Sequence, residues 1–161
     1  MVNPKEKIIL SNPWHLLATG FGSGLSPVVP GTMGTLAAVP FYFLLAQLPF
    51  VAYLAVVAVS AVIGVAICQK TSDDMGVHDH GSIVWDEFVG FWITMAIAPA
   101  ATWQWVLAGF ILFRFFDMVK PWPISWLDKH VHGGFGIMVD DILAGFMAMI
   151  ALWGVGNWLG W

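Results

Sequence analysis

Three long stretches of the chain, Ile8–Gln69, Phe88–Phe113 and Ile142–Trp161, carry no Asp, Glu, Lys or Arg. The charges fall in islands between them: Lys70–Glu87, Arg114–Lys129 and Asp140-Asp141. Leu48-Pro49 divides the first stretch, which predicts one helix starting near Gly31–Gly34 and running to Leu48, and a second from Val51 to Gln69. Phe88–Phe113 divides at Ala98–Thr102, where Pro99 is the breaker, and a last helix is expected from Met138 to Trp158. The pattern is two apolar hairpins and one final span. Each hairpin arm has roughly 12–19 residues, or ~18–28 Å of helix, against the ~30 Å of a bilayer core. The Phe88–Ala98 arm is the shortest and is expected to penetrate only partly. No internal repeat, low-complexity segment or linker interrupts the chain, so residues 1–161 read as one membrane-embedded domain.

Composition moves the reading from apolar helices to a membrane. Of 161 residues 59% are hydrophobic and only 10% charged, with a mean hydropathy of +0.81; soluble domains carry about 25% charged residues. Ten tryptophans suit an interface where an indole is half buried and half wet. The expected fold class is all-α, a compact helical membrane bundle of about five or six helices. No cleavable signal peptide is evident, because Asn12-Pro13 interrupts the apolar run after Lys5, Glu6 and Lys7. The single Cys68 excludes an intramolecular disulfide and reads as a small core residue. The net charge of −4 argues against nucleic acid, and no pattern specifies an oligomeric state.

Hairpins return to the side they left, so the amino terminus and the charge islands should share one face. Lys5, Lys7, Lys70, Arg114, Lys120 and Lys129 all fall on that face, while the turns near Pro49 and Pro99 have no basic residue. By the positive-inside rule the charged face is cytoplasmic. Trp153, Trp158 and Trp161 would then lie at the far interface. Acids nevertheless outnumber bases on the inferred cytoplasmic face, beside anionic headgroups, which asks for a counter-cation.

Each island carries candidate chemistry. In Gly20–Thr35, "GFGSGLSPVVPGTMGT", glycines and prolines precede an apolar helix. Backbone amides near Gly31 and the Thr32 hydroxyl could bind phosphate, or Thr32 could simply cap the helix; the Gly-Lys-Ser/Thr ending of a Walker loop is absent. Asp73–Phe88 holds five acids and two histidines. His78-Asp79-His80, flanked by Gly76 and Gly81, reads as a solvated loop rather than a zinc pair. Asp86-Glu87 opens an apolar helix in which Gly90 allows a close neighbour. Acids are favoured at a helix amino end, but one would suffice and two repel. Arg114, Asp117 and Lys120 occupy one ~120° stripe of a helix that Pro121 ends, either as a salt-bridge ladder or as a phosphate site with a metal ligand in its middle. His132–Phe146 repeats the theme: a glycine turn, then an apolar helix headed by Asp140-Asp141, with Gly145 one turn on.

Unpaired intramembrane carboxylates default to functional roles, and five could ionise together if they shared divalent cations. Mg2+ prefers oxygen ligands and commonly binds through carboxylates plus a substrate phosphate. Arg114 and Lys120 would take the remaining phosphate charge. Scarce cysteine and the lack of a good histidine pair argue against zinc.

Taken in series, "GFGSGLSPVVPGTMGT", "WDEFVGFW", "FRFFDMVKPWPI" and "GGFGIMVDDILAG" resemble the phosphatidylglycerophosphatase A family, over about Ser11 to Ala148 and without departure at a charged position. The resemblance implies an all-helical, magnesium-dependent lipid phosphatase of the bacterial inner membrane. It would convert phosphatidylglycerophosphate, a phospholipid within the bilayer, into phosphatidylglycerol and inorganic phosphate. The family's acidic motif positions fall here on Asp86, Glu87, Asp117, Asp140 and Asp141.

On that footing Glu87, Asp117, Asp140 and Asp141 are the expected metal ligands, and Asp86 or Asp141 the general base. Arg114 and Lys120 would stabilise the phosphoryl oxygens, with Thr32 and Gly31 completing the cradle. Direct water attack is favoured over an aspartyl-phosphate, because neither the Asp-x-Asp-x-Thr/Val nor the Pro-Ser-Gly-His nucleophile motif is present. The alternatives are a magnesium-dependent lipid phosphotransferase, whose spaced-aspartate signature is missing, and a cation channel or transporter, which leaves the bases unexplained.

Overall fold

The computed structural model describes residues 3–160, and among them it contains helices and no strand. The α-helices are α1 (Pro13–Ala18), α2 (Pro30–Leu45), α3 (Phe50–Met75), α4 (Trp85–Met95), α5 (Trp103–Val119), α6 (Ile124–His130) and α7 (Gly133–Leu159), with short 3-10 turns at Pro4–Lys7 and Ser23–Leu25. The five long elements are the four hairpin arms and the final span. The additional two, α1 and α6, have 6 and 7 residues, too short for a hydrophobic period to announce them. Local chemistry makes α1: Pro13 sits at its first position, and the Asn12 side chain accepts a hydrogen bond from the Trp14 amide at 3.0 Å.

Boundaries shift where tertiary contacts override the sequence signal. α2 ends at Leu45 rather than Leu48. α3 continues past Gln69 to Met75, supported by the i,i+4 ion pair of Lys70 with Asp74, and stops at Gly76, whose φ of 71° ends the helix in the left-handed region. α7 starts at Gly133, not Met138. Its first glycines are helical because they press on α3: the Gly134 amide donates to the Gln69 side chain at 2.7 Å, and a Cβ on Gly134 would collide with the Val65 carbonyl.

α4 is the centre of the molecule. All 11 of its residues are buried, so the shortest arm is a core helix shielded by α2, α3, α5 and α7. Its indoles and backbone are tied into the surrounding helices. Trp85 Nε1 donates to the Ser60 carbonyl at 3.1 Å, Trp92 Nε1 to the Ala38 carbonyl at 3.1 Å, and Tyr53 OH to the Trp92 carbonyl at 2.6 Å. The outer faces of the other long helices are apolar, with Leu44, Val51, Val62, Ile111, Ile150 and Trp158 all exposed. α3 and α7 are long and apolar enough to cross a membrane. Trp161, expected at the far interface, lies outside the described residues.

The turns at Pro49 and Pro99 meet at one end of the bundle, where Leu48, Phe50, Ala98 and Pro99 line a common pocket of about 340 Å³. The charged chain segments gather elsewhere, around a second cavity. This is the separation that two hairpins and a final span predict.

Candidate active site

The second cavity, of about 420 Å³, is built from five parts of the chain. Pro30 and Gly31 come from the start of α2. Asp79, Gly81 and Ile83 come from the loop before α4, and Asp86 and Glu87 from the first turn of α4. The carboxyl end of α5 supplies Arg114, Asp117, Met118 and Lys120, and α7 supplies Ile137, Asp140 and Asp141. Six acids thus face two bases, and no histidine or cysteine lines the wall.

Three carboxylates converge. Ligand oxygens of Asp86, Glu87 and Asp141 lie within 4.8 Å of one another. Asp86 and Asp141 are 7% and 4% exposed. Asp86 Oδ1, Glu87 Oε2 and Asp141 Oδ2 are buried without a hydrogen-bond partner. Buried like charges with free oxygens are unfavourable unless a cation joins them or protons neutralise them. The donor set is all oxygen, and two bases, Arg114 and Lys120, stand in the same wall. An all-oxygen donor set of this kind fits a hard divalent cation such as Mg2+.

Helix position alone accounts for neither acidic pair. Asp86 and Glu87 do stand in the first turn of α4, but buried. Asp140 and Asp141 stand well inside α7, because that helix begins at Gly133. The expectation that they head their helix is therefore corrected, and favourable interaction with the amino end of a dipole does not explain them. What brings them together is helix contact. Gly145 lies against the backbone of Gly90, with a hypothetical Cβ only 2.5 Å from the Gly90 carbonyl oxygen. That approach sets α4 and α7 side by side one turn below Glu87 and Asp141.

Two of the remaining acids, Asp117 and Asp140, are engaged by bases. Arg114 Nη1 pairs with Asp117 one turn along α5 and lies 3.8 Å from Glu87 Oε1. Lys120 Nζ donates to Asp140 Oδ2 at 3.0 Å and to Asp128 Oδ1 at 2.5 Å. Burial disfavours the Lys120 charge, but the hydrogen bonds to Asp128 and Asp140 outweigh it and hold the ammonium above its ordinary pKa. The same contact with Lys120 holds the Asp128 carboxyl below the usual range. Asp117 and Asp140 thus line the cavity paired with Arg114 and Lys120, Asp140 keeping Oδ1 buried without a hydrogen-bond partner, while Asp86 joins Glu87 and Asp141 in the metal-sized cluster.

Gly31 reaches the wall, and Thr32 is not among the lining residues. The α2 N-cap is Val29 with φ 42°, followed by Pro30 at the first helical position, so Thr32 is already inside the first turn. Gly31 matters for space: a Cβ there would strike Glu87 Oε1 and come 3.1 Å from Arg114 Nη2. Val29, Asp79 and Lys120 all adopt positive φ in a part of the map that non-glycine residues rarely occupy. Asp79 and Lys120 line the cavity and Val29 adjoins it, a clustering typical of functional sites.

The 76–84 segment is the irregular loop expected. His78 Nε2 accepts from the Gly133 amide at 2.8 Å, and His80 Nδ1 accepts from the Ser82 amide at 3.1 Å. Burial, with Lys5 nearby, pushes the His80 pKa below its ordinary value, as a neutral acceptor requires. Neither ring lines the cavity. Asp79, read from sequence as part of a solvated loop, lines the cavity, and Asp128 was not singled out by sequence. The spacing between Lys120 and Asp128 spans a proline turn and a short helix, which no periodicity encodes.

Comparison with known proteins identifies the family. The family described as Phosphatidylglycerophosphatase A matches residues 16–156. The Phosphatidylglycerophosphatase A of Escherichia coli is 60% identical over 153 residues, covering 95% of this chain and 89% of that protein. The protein of the same name from Haemophilus influenzae is 52% identical over 158 residues, covering 98% of this chain and 97% of its own. A Bacteroides thetaiotaomicron protein, provisionally named a phosphatidylinositol-3-phosphatase, is 40% identical over 154 residues, covering 89% of this chain and 93% of its own. No solved structure matches. The chain belongs to the phosphatidylglycerophosphatase A family, a family of lipid phosphatases.

Proposed function

We propose that the protein is a single-domain enzyme of the bacterial inner membrane that hydrolyses phosphatidylglycerophosphate to phosphatidylglycerol and inorganic phosphate, with Mg2+ as cofactor and its site facing the cytoplasm. The observation that carries this reading is the cavity in which three buried carboxylates with free oxygens stand beside Arg114 and Lys120. Relatives at 60% and 52% identity bear the name of this activity.

Asp86, Glu87 and Asp141 would hold the metal, with Asp140 and Asp117 close behind. A divalent cation there supplies Lewis-acid polarisation of a phosphoryl oxygen. Arg114 donates to phosphoryl oxygens from a side chain already oriented by Asp117, and Lys120 does so from its seat between Asp128 and Asp140. Fixing both bases in advance lowers the reorganisation needed as charge builds on the leaving oxygen. Asp86 or Asp141 would accept the proton of the attacking water on an oxygen free of any hydrogen bond, and the resulting acid would return it to the glycerol oxygen as the P–O bond breaks. Glu87, pressed between Gly31 and Arg114, fixes the distance between carboxylate cluster and bases.

The headgroup is tested by phosphate release in detergent from phosphatidylglycerophosphate, phosphatidic acid and phosphatidylinositol 3-phosphate, with Mg2+ and with chelator. Preferential release from phosphatidylglycerophosphate, abolished by chelator, is expected. Faster release from the inositol lipid would transfer the reading to the headgroup in the Bacteroides protein's name.

A further inference from the structure

An apolar crevice of about 370 Å³ runs between α2 and α5, lined by Leu36, Val39 and Phe43 on one side and Val106, Leu107 and Phe110 on the other, with Trp103 at its end. Its walls continue into the polar cavity. On α5 one i+4 step leads from Phe110 to Arg114 and another to Met118, both cavity residues. On α2 the Leu36–Val39–Phe43 stripe continues one turn back to Thr32, beside Gly31. Thr32 thus stands at the junction between phosphate-binding wall and apolar crevice.

The depth is informative. From Arg114 to Trp103, or from Thr32 to Phe43, is ~16 Å of helix. One leaflet of a bilayer is half of its ~30 Å hydrocarbon core, or ~15 Å. The crevice is open along its length, with Leu36 53% and Leu107 49% exposed.

A second apolar groove of about 470 Å³ lies between α3, α4 and α7, lined in part by Ala58, Ile93 and Ile142. Along the α4–α7 seam it is separated from the carboxylates by the backbone contact of Gly90 with Gly145.

The geometry points to the α2–α5 crevice as the acyl-chain subsite of the substrate lipid: one chain lies between Leu36 and Leu107 while the phosphomonoester occupies the cavity, and Thr32 meets the glycerol backbone between them. This rests on the lipid-phosphatase reading and adds the route by which the lipid reaches the site, laterally from its own leaflet, without leaving the bilayer.

The test fills the crevice. Leu36→Trp and Leu107→Trp are compared with Ala58→Trp in the other groove, each checked for a monodisperse, cooperatively unfolding protein in detergent. Rates are measured on long-chain phosphatidylglycerophosphate and on a short-chain, water-soluble analogue with the same headgroup. The crevice variants should lower the ratio of long-chain to short-chain kcat/KM by about tenfold or more, because binding of the remote chain is lost while the chemistry is kept. Ala58→Trp should leave that ratio unchanged. An unchanged ratio in both crevice variants, a parallel fall on both substrates, or an equal fall in Ala58→Trp would overturn the assignment. Wild-type protein inert on both substrates would instead remove the phosphatase reading, and this subsite with it.

Discussion

Gly145 packs directly on the backbone of Gly90, so that the two helices carrying Glu87 and Asp141 touch main chain to main chain. Side chains of ordinary size could not bring these carboxylates within 4.8 Å. The small residues are therefore part of the site, although they carry no functional group.

Replacing Gly145 by Ala places a methyl group 2.5 Å from the Gly90 carbonyl and forces α4 and α7 apart. A loss of about 1–3 kcal/mol in stability is expected, together with a fall in activity larger than the stability loss explains. Gly154, on the same helix, has open space at its Cβ position. Gly154→Ala should be neutral or slightly stabilising. Thermal unfolding in detergent with parallel rate measurements distinguishes the two.

Asp86→Asn, Glu87→Gln and Asp141→Asn should each reduce turnover by at least about 100-fold. They should also change stability in a direction that depends on metal. In chelator each removes one of three crowded buried charges, so the unfolding temperature should rise above wild type. With Mg2+ the wild type should gain stability by preferential binding to the folded state, and the variants should gain less. Unfolding curves with and without Mg2+ read this without reference to activity.

Gly31→Ala should be more damaging than Thr32→Val on a short-chain substrate. The added Cβ strikes Glu87 and crowds Arg114, whereas Thr32 is outside the cavity wall. A loss of about tenfold or more is expected for Gly31→Ala, and within about threefold for Thr32→Val. Initial rates on the short-chain analogue settle the order.

Asp128 gives a pH prediction. Its carboxyl is held below the usual range chiefly by Lys120. A group depressed in the folded state stabilises above its unfolded pKa of about 3.9 and loses that contribution as pH falls through the lower folded value. The Lys120 charge is raised, so its contribution is full at neutral pH and is lost only as pH rises through its folded value. Asp128→Asn should therefore flatten the acid side of the stability profile below about pH 4 while leaving the alkaline side to Lys120 and Asp140. Unfolding temperature from pH 3 to 7 in wild type and variant is the measurement.

Much of this was legible in the chain because a membrane protein concentrates its chemistry. With so few charges, the islands at Asp86-Glu87, Arg114–Lys120 and Asp140-Asp141 stood out as the candidate site, and the structure brings them to one cavity; the prolines at 49 and 99 marked the other turns. Gly90 and Gly145 were readable as contact points from their spacing to the acids. What periodicity could not reach was the context of each helix. α4 looks like a short membrane arm, yet it is buried on every side, since an all-apolar segment reads the same against lipid as against protein. α7 begins at Gly133 because Gly134 packs on α3, a contact invisible to a glycine-as-breaker rule. The division of labour among the acids, with Asp117 and Asp140 neutralised by bases and Asp86 in the cluster, depends on rotamers and on the turn that carries Asp128 back to Lys120.

Asp86, Glu87 and Asp141 are proposed to hold the metal on which phosphate release depends. The most direct measurement is phosphate release from phosphatidylglycerophosphate as a function of Mg2+ concentration, in wild type and in Glu87→Gln shown to be folded. Saturable activation of the wild type and none in the variant is the predicted result. Equal activation of both proteins, or release by wild type that persists in chelator, would contradict it.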